Sequence, residues 1–170
     1  FNYNSVSSTM DVAKQKAKEN PYLLNNGFVI IANYQSKGRG TKQRQWHSES
    51  SGGLYYTFVC NPSLLKVDQA ENYQLRIAYC IKSLIDSLFN INCIIKYPND
   101  IFFNKKKLAG ILLETSSRSN KPFFDYFSIG IGLNLNQESF PSQIQDIATS
   151  TYIETQKKVS NLKVAKALTD

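Results

Sequence analysis

The order of patterns along this chain predicts an α+β fold, with a mixed, mostly antiparallel sheet and helices packed on it. Three observations lead there. Helical periodicity falls between clusters of strand-like runs instead of alternating with them one for one. The links between strands are short and hairpin-like, which joins antiparallel neighbours and argues against a doubly wound sheet. No internal repeat or low-complexity linker interrupts the 170 residues, a length that suits one domain with a substantial core.

Each element has a local reason. Ser8-Thr9-Met10-Asp11 has the S-x-x-D form of a capping box, and Ala13 and Ala17 among lysines favour a helix to about Glu19. Asn20-Pro21 ends it, because the residue before proline is pushed out of the helical region. Gly27 opens the β-branched and aromatic run FVIIANY, a strand ending near Tyr34. A loop follows. Gly52-Gly53 then leads into a second strand, LYYTFVCN. Residues 68–90 form the longest helical pattern, with Leu75, Ala78, Tyr79, Ile81, Leu84, Ile85 and Leu88 recurring at spacings of three and four. Residues 93–97 are a short strand stopped by Pro98. Residues 101–103 and 108–114 flank the basic turn N-K-K-K and read as a hairpin. Residues 123–135 are a further strand, carrying Gly130 and Gly132. Beyond Asn136 the chain turns polar, and a last helix starts near Asn161.

Composition narrows the function class. Lysine and arginine number 20 against 13 acidic residues, a formal charge of +7, which fits nucleic acid, nucleotide phosphates or an acidic protein as partner. No apolar run approaches a bilayer span. The polar N-terminus has no signal-peptide pattern, and the missing initiator Met suggests a processed or trimmed chain. Cys60, Cys80 and Cys93 form no C-x-x-C pair and have apolar neighbours. They read as buried free thiols of a reducing, cytoplasmic compartment. One histidine and no cysteine cluster make a zinc site improbable.

Three runs stand out. Gly130 and Gly132 lie on the same face of their strand, where glycine is unfavourable unless something approaches the backbone closely. That something is a ligand or a tightly packed helix. GRGTKQRQW, residues 38–46, puts Arg39, Lys42 and Arg44 among backbone amides freed by glycine, a candidate phosphate cradle beside the single tryptophan. It is neither a Walker A loop nor a G-x-G-x-x-G fingerprint. In KYPNDIFFNKKKLAGILLE, residues 96–114, Asn99 and Asp100 are hard oxygen ligands suited to Mg²⁺ near phosphates, and Lys107 is placed to reach an anion. Taken singly, Asn99-Asp100 reads first as an ordinary turn pair, residues 105–107 as an exposed hairpin tip and residues 38–46 as a solvated basic loop.

Together, SST (7–9), YQSKGRGTKQRQW (34–46), KYPNDIFFNKKKLAGILLE (96–114) and GIGLNLN (130–136) resemble the catalytic domain of the biotin protein ligases (biotin–[acetyl-CoA-carboxylase] ligase), in order and spacing across nearly the whole chain. The resemblance implies the biotin/lipoate ligase fold, similar to that of class II aminoacyl-tRNA synthetases. It implies activation of biotin by ATP and Mg²⁺ to biotinyl-5′-adenylate, then transfer to a lysine of a biotin carboxyl carrier domain. By the same resemblance Ser8, Thr9 and Gln35 would meet biotin. Gly38, Arg39, Gly40 and Thr41 would form a loop closing over the adenylate. Trp46 would wall the nucleotide, with Asn134 near it. Asn99 and Asp100 would face metal and phosphates. Lys107 would contact the biotin carboxylate and α-phosphate, and with Arg39 would carry the catalysis. Gly110, Gly130 and Gly132 would let the ligand lie on the sheet.

The resemblance also implies a winged helix before such a domain in many members and a small β-barrel after it. Neither is in this chain, so a C-terminally truncated catalytic domain is expected, with DNA binding unlikely and homodimerisation common to the family. Three alternatives remain open: a lipoate or octanoate ligase or transferase of the same fold, a basic nucleic-acid-binding module, and a truncated chain that binds biotin without catalysis. The chain departs from the family pattern at Met10 (usually Asn), Tyr97 (usually Trp), Thr41 and Gln43 (usually Arg and Gly). Loss of an arginine beside the adenylate is expected to raise its escape. A Thr41→Arg variant should therefore release less free adenylate than the native chain; equal release measured by chromatography would refute this.

Overall fold

A computed structural model describes every residue except 42, 43, 51, 119, 120 and 170, together with the side chain of residue 71. Seven strands form one sheet: β1 (Asn2–Tyr3), β2 (Phe28–Ala32), β3 (Gly53–Val59), β4 (Ile94–Lys96), β5 (Asp100–Phe103), β6 (Lys106–Ser116) and β7 (Tyr126–Asn134), in the order β1-β2-β3-β7-β6-β5-β4. Only β1 and β2 run parallel; every other pair is antiparallel, so the mixed, mostly antiparallel expectation holds.

Helices cover both faces. On one lies α1 (Thr9–Glu19), followed by the short α2 (Leu23–Asn26). On the other lie α3 (Ala70–Phe89) and α5 (Asn161–Thr169), with α4 (Thr151–Thr155) between β7 and α5 in the chain. Consecutive strand residues point to opposite faces. Thr57 accordingly reaches Thr9 of α1, while its neighbour Tyr56 reaches Thr169 of α5. β7, at the centre, is buried along nearly its whole length.

Local chemistry accounts for the elements and for departures from the sequence reading. Ser8 is the N-cap of α1, but its side chain makes no cap hydrogen bond. The capping box does not close. Asp11 instead pairs with Arg39 at 2.8 Å, and Gln35 Oε1 takes the Thr9 amide at 2.8 Å. On α3, Ala78, Ile81 and Ile85 face the core, whereas Leu75, Tyr79 and Leu88 are exposed. Asn90 ends that helix at φ 53, a left-handed conformation that asparagine tolerates.

The β5–β6 turn needs only Asn104 (φ 47) and Lys105 (φ 65), the paired positive φ values of a two-residue hairpin. Lys106 and Lys107 are thereby strand residues and not part of an exposed tip. Helix α4 was not expected from the polar stretch beyond 136; Ser150 caps it by accepting from the Ile153 amide at 3.0 Å. None of the described helices is long and apolar enough to cross a membrane.

The cysteines divide. Cys93 is buried and Cys60 half-buried, but Cys80 is exposed on α3, against the expectation that all three are covered. Burial pushes the Cys60 thiol up to about 11 and Cys93 up to about 12. Only the thiolate alkylates readily. Maleimide at neutral pH should therefore label Cys80 alone in the folded protein and all three thiols after denaturation, read by mass spectrometry of a digest. Fast labelling of Cys60 or Cys93 without unfolding would contradict this placement.

Candidate functional site

Strand register builds the floor of the site. Gly110 of β6 lies directly opposite Gly132 of β7, and Gly110 is also opposite Asp100 of β5. One row further on, Gly130 of β7 stands between Leu112 and Thr57. Two glycines side by side on neighbouring strands leave a hollow with no Cβ atoms. A Cβ on Gly132 would come 2.4 Å from the Trp46 ring, and one on Gly110 would come 2.7 Å from it. A Cβ on Gly130 would meet Met10 Sδ at 2.6 Å. The glycines thus receive the protein's own side chains, Trp46 and Met10, where the resemblance put a ligand directly on the sheet.

Trp46 is delivered by a small hairpin. The Trp46 amide donates to Gly38 O at 2.9 Å, the Gly40 amide to Arg44 O at 2.7 Å, and Arg39 bridges Gln45. The Gly40 and Trp46 amides are thus engaged within the loop. Lys42 and Gln43 lie outside the described residues. Arg44 folds back onto Thr41, with Nη2 3.1 Å from its Oγ1, and does not border the cavity. Gly38 does not border it either. Its place is fixed by crowding, since a Cβ there would come 2.7 Å from Trp46 O.

A β-bulge aims Lys107. Between the pairs Ile101↔Ala109 and Phe102↔Lys107, β6 holds one residue more than β5, namely Leu108. The extra residue reverses the alternation, so Lys107 and Gly110 share a face. Lys107 Nζ then stands 2.7 Å from Asp100 Oδ1 and 5.2 Å from the Trp46 ring centroid. Asp100 Oδ1 is buried and out of line for a hydrogen bond, so the contact is an ion pair reinforced by the cation–π contact behind it. The backbone of Lys107 is clamped by Ile147 O at 2.8 Å and the Thr149 amide at 3.0 Å.

The opposite end of the cavity is polar and uncharged. Ser8, Thr9 and Gln35 are all buried there. Gln35 Oε1 accepts from both Thr9 N (2.8 Å) and Thr9 Oγ1 (3.0 Å), and Thr57 Oγ1 donates to Thr9 Oγ1 at 2.9 Å. Arg39 closes a third side. Its guanidinium bridges Asp11 at 2.8 Å and Glu114 at 2.7 Å, tying the loop to α1 and β6. These pairs are partly exposed and worth at most about 1 kcal/mol each, so they hold the loop without locking it.

Thirteen of the expected site residues — Ser8, Thr9, Gln35, Arg39, Gly40, Thr41, Trp46, Asn99, Asp100, Lys107, Gly110, Gly130 and Gly132 — line one cavity. Asn134 does not. Its amide donates to Thr149 O at 2.9 Å and accepts from Gln137, holding the end of β7 to the segment before α4. Sequence reasoning missed Asp11, Glu114 and Thr57. Only Asp11 had a signal, and it pointed to helix capping.

Among the described residues no three His, Cys, Asp or Glu side chains converge as a metal site. Asn99 donates Nδ2 to Ile111 O at 3.2 Å, and it lines the cavity with the carboxylate of Asp100. Such a set suits a cation carried by phosphates and not one caged by protein.

Residues 3–134 match the model of the biotin/lipoate A/B protein ligase family. The bifunctional ligase/repressor BirA of Bacillus subtilis is 33% identical over 150 residues, 87% of this chain and 44% of its own length. Biotin–protein ligase 2 of Arabidopsis thaliana is 33% identical over 137 residues, 78% of this chain and 39% of its own. The chain thus spans less than half the length of these relatives. A biotin protein ligase from Aquifex aeolicus in complex with biotin and ATP superposes with a TM-score of 0.79 at 31% identity, covering 99% of this chain and 68% of that one. The Leishmania major enzyme in complex with biotinyl-5-AMP gives 0.78 at 26% identity, covering 98% and 70%.

The single tryptophan makes the floor testable by fluorescence. Gly132→Ala places a methyl where the indole lies. Emission should shift to longer wavelength and quench more readily with iodide, while circular dichroism stays native. Gly40→Ala, whose nearest contact would be 3.3 Å, should leave the spectrum unchanged. An unshifted Gly132→Ala spectrum would show that the indole does not rest there.

Proposed function

The chain belongs to the biotin/lipoate A/B protein ligase family, and from that premise we propose that it activates biotin with ATP to biotinyl-5′-adenylate and passes the biotinyl group to a lysine of a carboxyl carrier domain. The observation that carries this reading is Lys107, a cation aimed by a bulge, held between Asp100 and Trp46 at one end of a cavity whose other end is polar and uncharged.

The chemistry asks for that arrangement. Biotin is a largely apolar bicyclic acid, and a snug site with a few placed polar groups suits it. Its carboxylate oxygen must attack the α-phosphorus while pyrophosphate leaves, a reaction between two anions. Lys107 sits where it offsets that repulsion and stabilises charge growing on the phosphorus centre. Arg39, on a loop held by two weak ion pairs, is available to exchange Asp11 and Glu114 for ligand oxygens. Thr9 and Gln35 are set to take the head group. A magnesium ion arriving with the phosphates would neutralise charge, and Asn99 and Asp100 are the oxygens that would face it. No protein nucleophile is required, since the carboxylate itself attacks and the acceptor amine later displaces AMP.

The enclosed space is about 40 Å³, enough for a few waters. Biotin and a nucleotide therefore enter only as the 38–46 hairpin lifts Trp46 and resettles over them. That resettling excludes water from the mixed anhydride.

Biotin-dependent exchange of pyrophosphate into ATP, with lipoate and octanoate as controls, tests the reading. Exchange is expected with biotin alone and is lost with EDTA. Lys107→Ala should lower it by about 10²-fold or more. Exchange driven by lipoate or octanoate would keep the family and change the substrate. Lys107→Ala at the native rate would remove the lysine from the mechanism.

A further inference from the structure

We infer that Asp11 and Glu114 are internal competitors of the ligand. They hold Arg39 in the arrangement seen here, and each thereby weakens binding of the anion that takes Arg39 from them. Tyr126 is the partner to which Glu114 turns when Arg39 leaves. Which anion this is rests on the ligase reading; the competition rests on the geometry.

Arg39 stands at a boundary. On one side it lines the enclosed cavity, and on the other an open cleft of about 530 Å³ that it shares with Glu114 and Leu112. Its two terminal nitrogens are engaged on different elements, Nη2 with Asp11 Oδ1 of α1 at 2.8 Å and Nη1 with Glu114 Oε1 of β6 at 2.7 Å. A guanidinium meets a carboxylate or a phosphate with the same fork of donors. An anion entering the cavity therefore asks for N–H groups that two carboxylates already hold. The same pairs restrain the indole, because Trp46 closes onto Gly38, the residue before Arg39. Lifting the hairpin breaks them.

The departure of Arg39 matters most at Glu114. The Asp11 side chain is 48% exposed, so water readily replaces its partner; that of Glu114 is only 24% exposed. Strand register supplies what water does not. Glu114 lies opposite Ser128 and Ser116 opposite Tyr126, which makes Tyr126 the diagonal neighbour of Glu114 on one face of the sheet. Tyr126 is buried in a cluster with Ala13 and Ala17 of α1, and its hydroxyl is hydrogen-bonded to none of the described residues. Burial foremost, with the Glu114 charge adding to it, pushes that hydroxyl up, so it stays a donor. A buried donor without a partner calls for a reason. Here the reason is a second state, in which Glu114 has released Arg39 and accepts from Tyr126 instead.

Four variants test this: Glu114→Gln, Asp11→Asn, Tyr126→Phe and, as a control, Asp125→Asn. The control removes the same charge from a surface pair with Arg118, away from the cavity. Acrylamide quenching of Trp46 is measured without ligand, and dissociation constants for biotin and for ATP with Mg²⁺ by calorimetry. Glu114→Gln and Asp11→Asn should raise the quenching. They should also bind biotin, ATP or both about two- to fivefold more tightly, the range that partly exposed pairs supply. Tyr126→Phe should leave the quenching native and bind the same ligand about two- to fivefold more weakly, from a carboxylate left without its donor. Asp125→Asn should match the native chain in both. A gain of affinity is not what a damaged fold produces. The inference is overturned if Glu114→Gln binds both ligands no better than the native chain, since the pairs would then merely hold Arg39 in place. It is overturned also if Asp125→Asn gains as much, the mark of net charge alone. Tyr126→Phe at native affinity removes the tyrosine from the exchange. A native chain that binds ligand but catalyses no pyrophosphate exchange sinks the ligase reading and leaves the binding comparison to decide on Arg39. A native chain that binds neither ligand sinks both.

Discussion

Everything at the site depends on one constraint: where Gly110 faces Gly132 across β6 and β7, no side chain can stand. A methyl on either would strike the Trp46 ring. The indole therefore rests against bare backbone, where a Cβ would leave it no room. From that seat it supports the Lys107 ammonium, and its own chain returns to Gly38 to close the loop hairpin. Filling the glycines would raise the tryptophan, and the lysine and the loop would lose their common support.

The site then divides by chemistry. At one end two opposite charges are kept together: a bulge turns Lys107 toward Asp100, and the segment before α4 clamps the lysine backbone. At the other end the hydroxyls of Thr9 and Thr57 and the oxygen of the Gln35 amide are buried and hydrogen-bonded to one another. Arg39 belongs to neither. It is held by carboxylates from α1 and β6, pairs weak enough to be exchanged. A ligand with a polar uncharged head and an anionic tail fits that division; a uniformly charged polymer does not.

Much of this was legible in the sequence, and the remainder follows a pattern. The strands around 30, 56 and 130 and the helix over Ala70–Phe89 announce themselves by β-branched runs and a three-four period, signals that survive without tertiary context. Helix α4 is five residues long and polar, too short to show a period. The turn at Asn104-Lys105 needs only two residues, so the strand claims Lys106 and Lys107, which their charge suggested were loop. At the site, the motif residues do converge, but what fills the glycine hollow depends on strand register, which no short window contains. Asp11 is instructive. Its spacing from Ser8 is that of a capping box, yet Arg39, 28 positions away in the sequence, competes for its carboxylate and wins. Long-range partners of this kind, Glu114 and Thr57 among them, leave no local trace.

The place of β7 has a consequence for assembly. It is the last strand in the chain, yet it lies between β3 and β6 and is the sole connection between the two halves of the sheet. Thr9, Gln35 and Trp46 belong to the half made first, and Asp100, Lys107 and Gly110 to the other. Until about residue 134 has left the ribosome, the two halves share no strand pairing, and the cavity between them is incomplete. Pairing at such sequence distance is slow to form. In return, capacity for chemistry arrives in a single step, with the closing of the sheet.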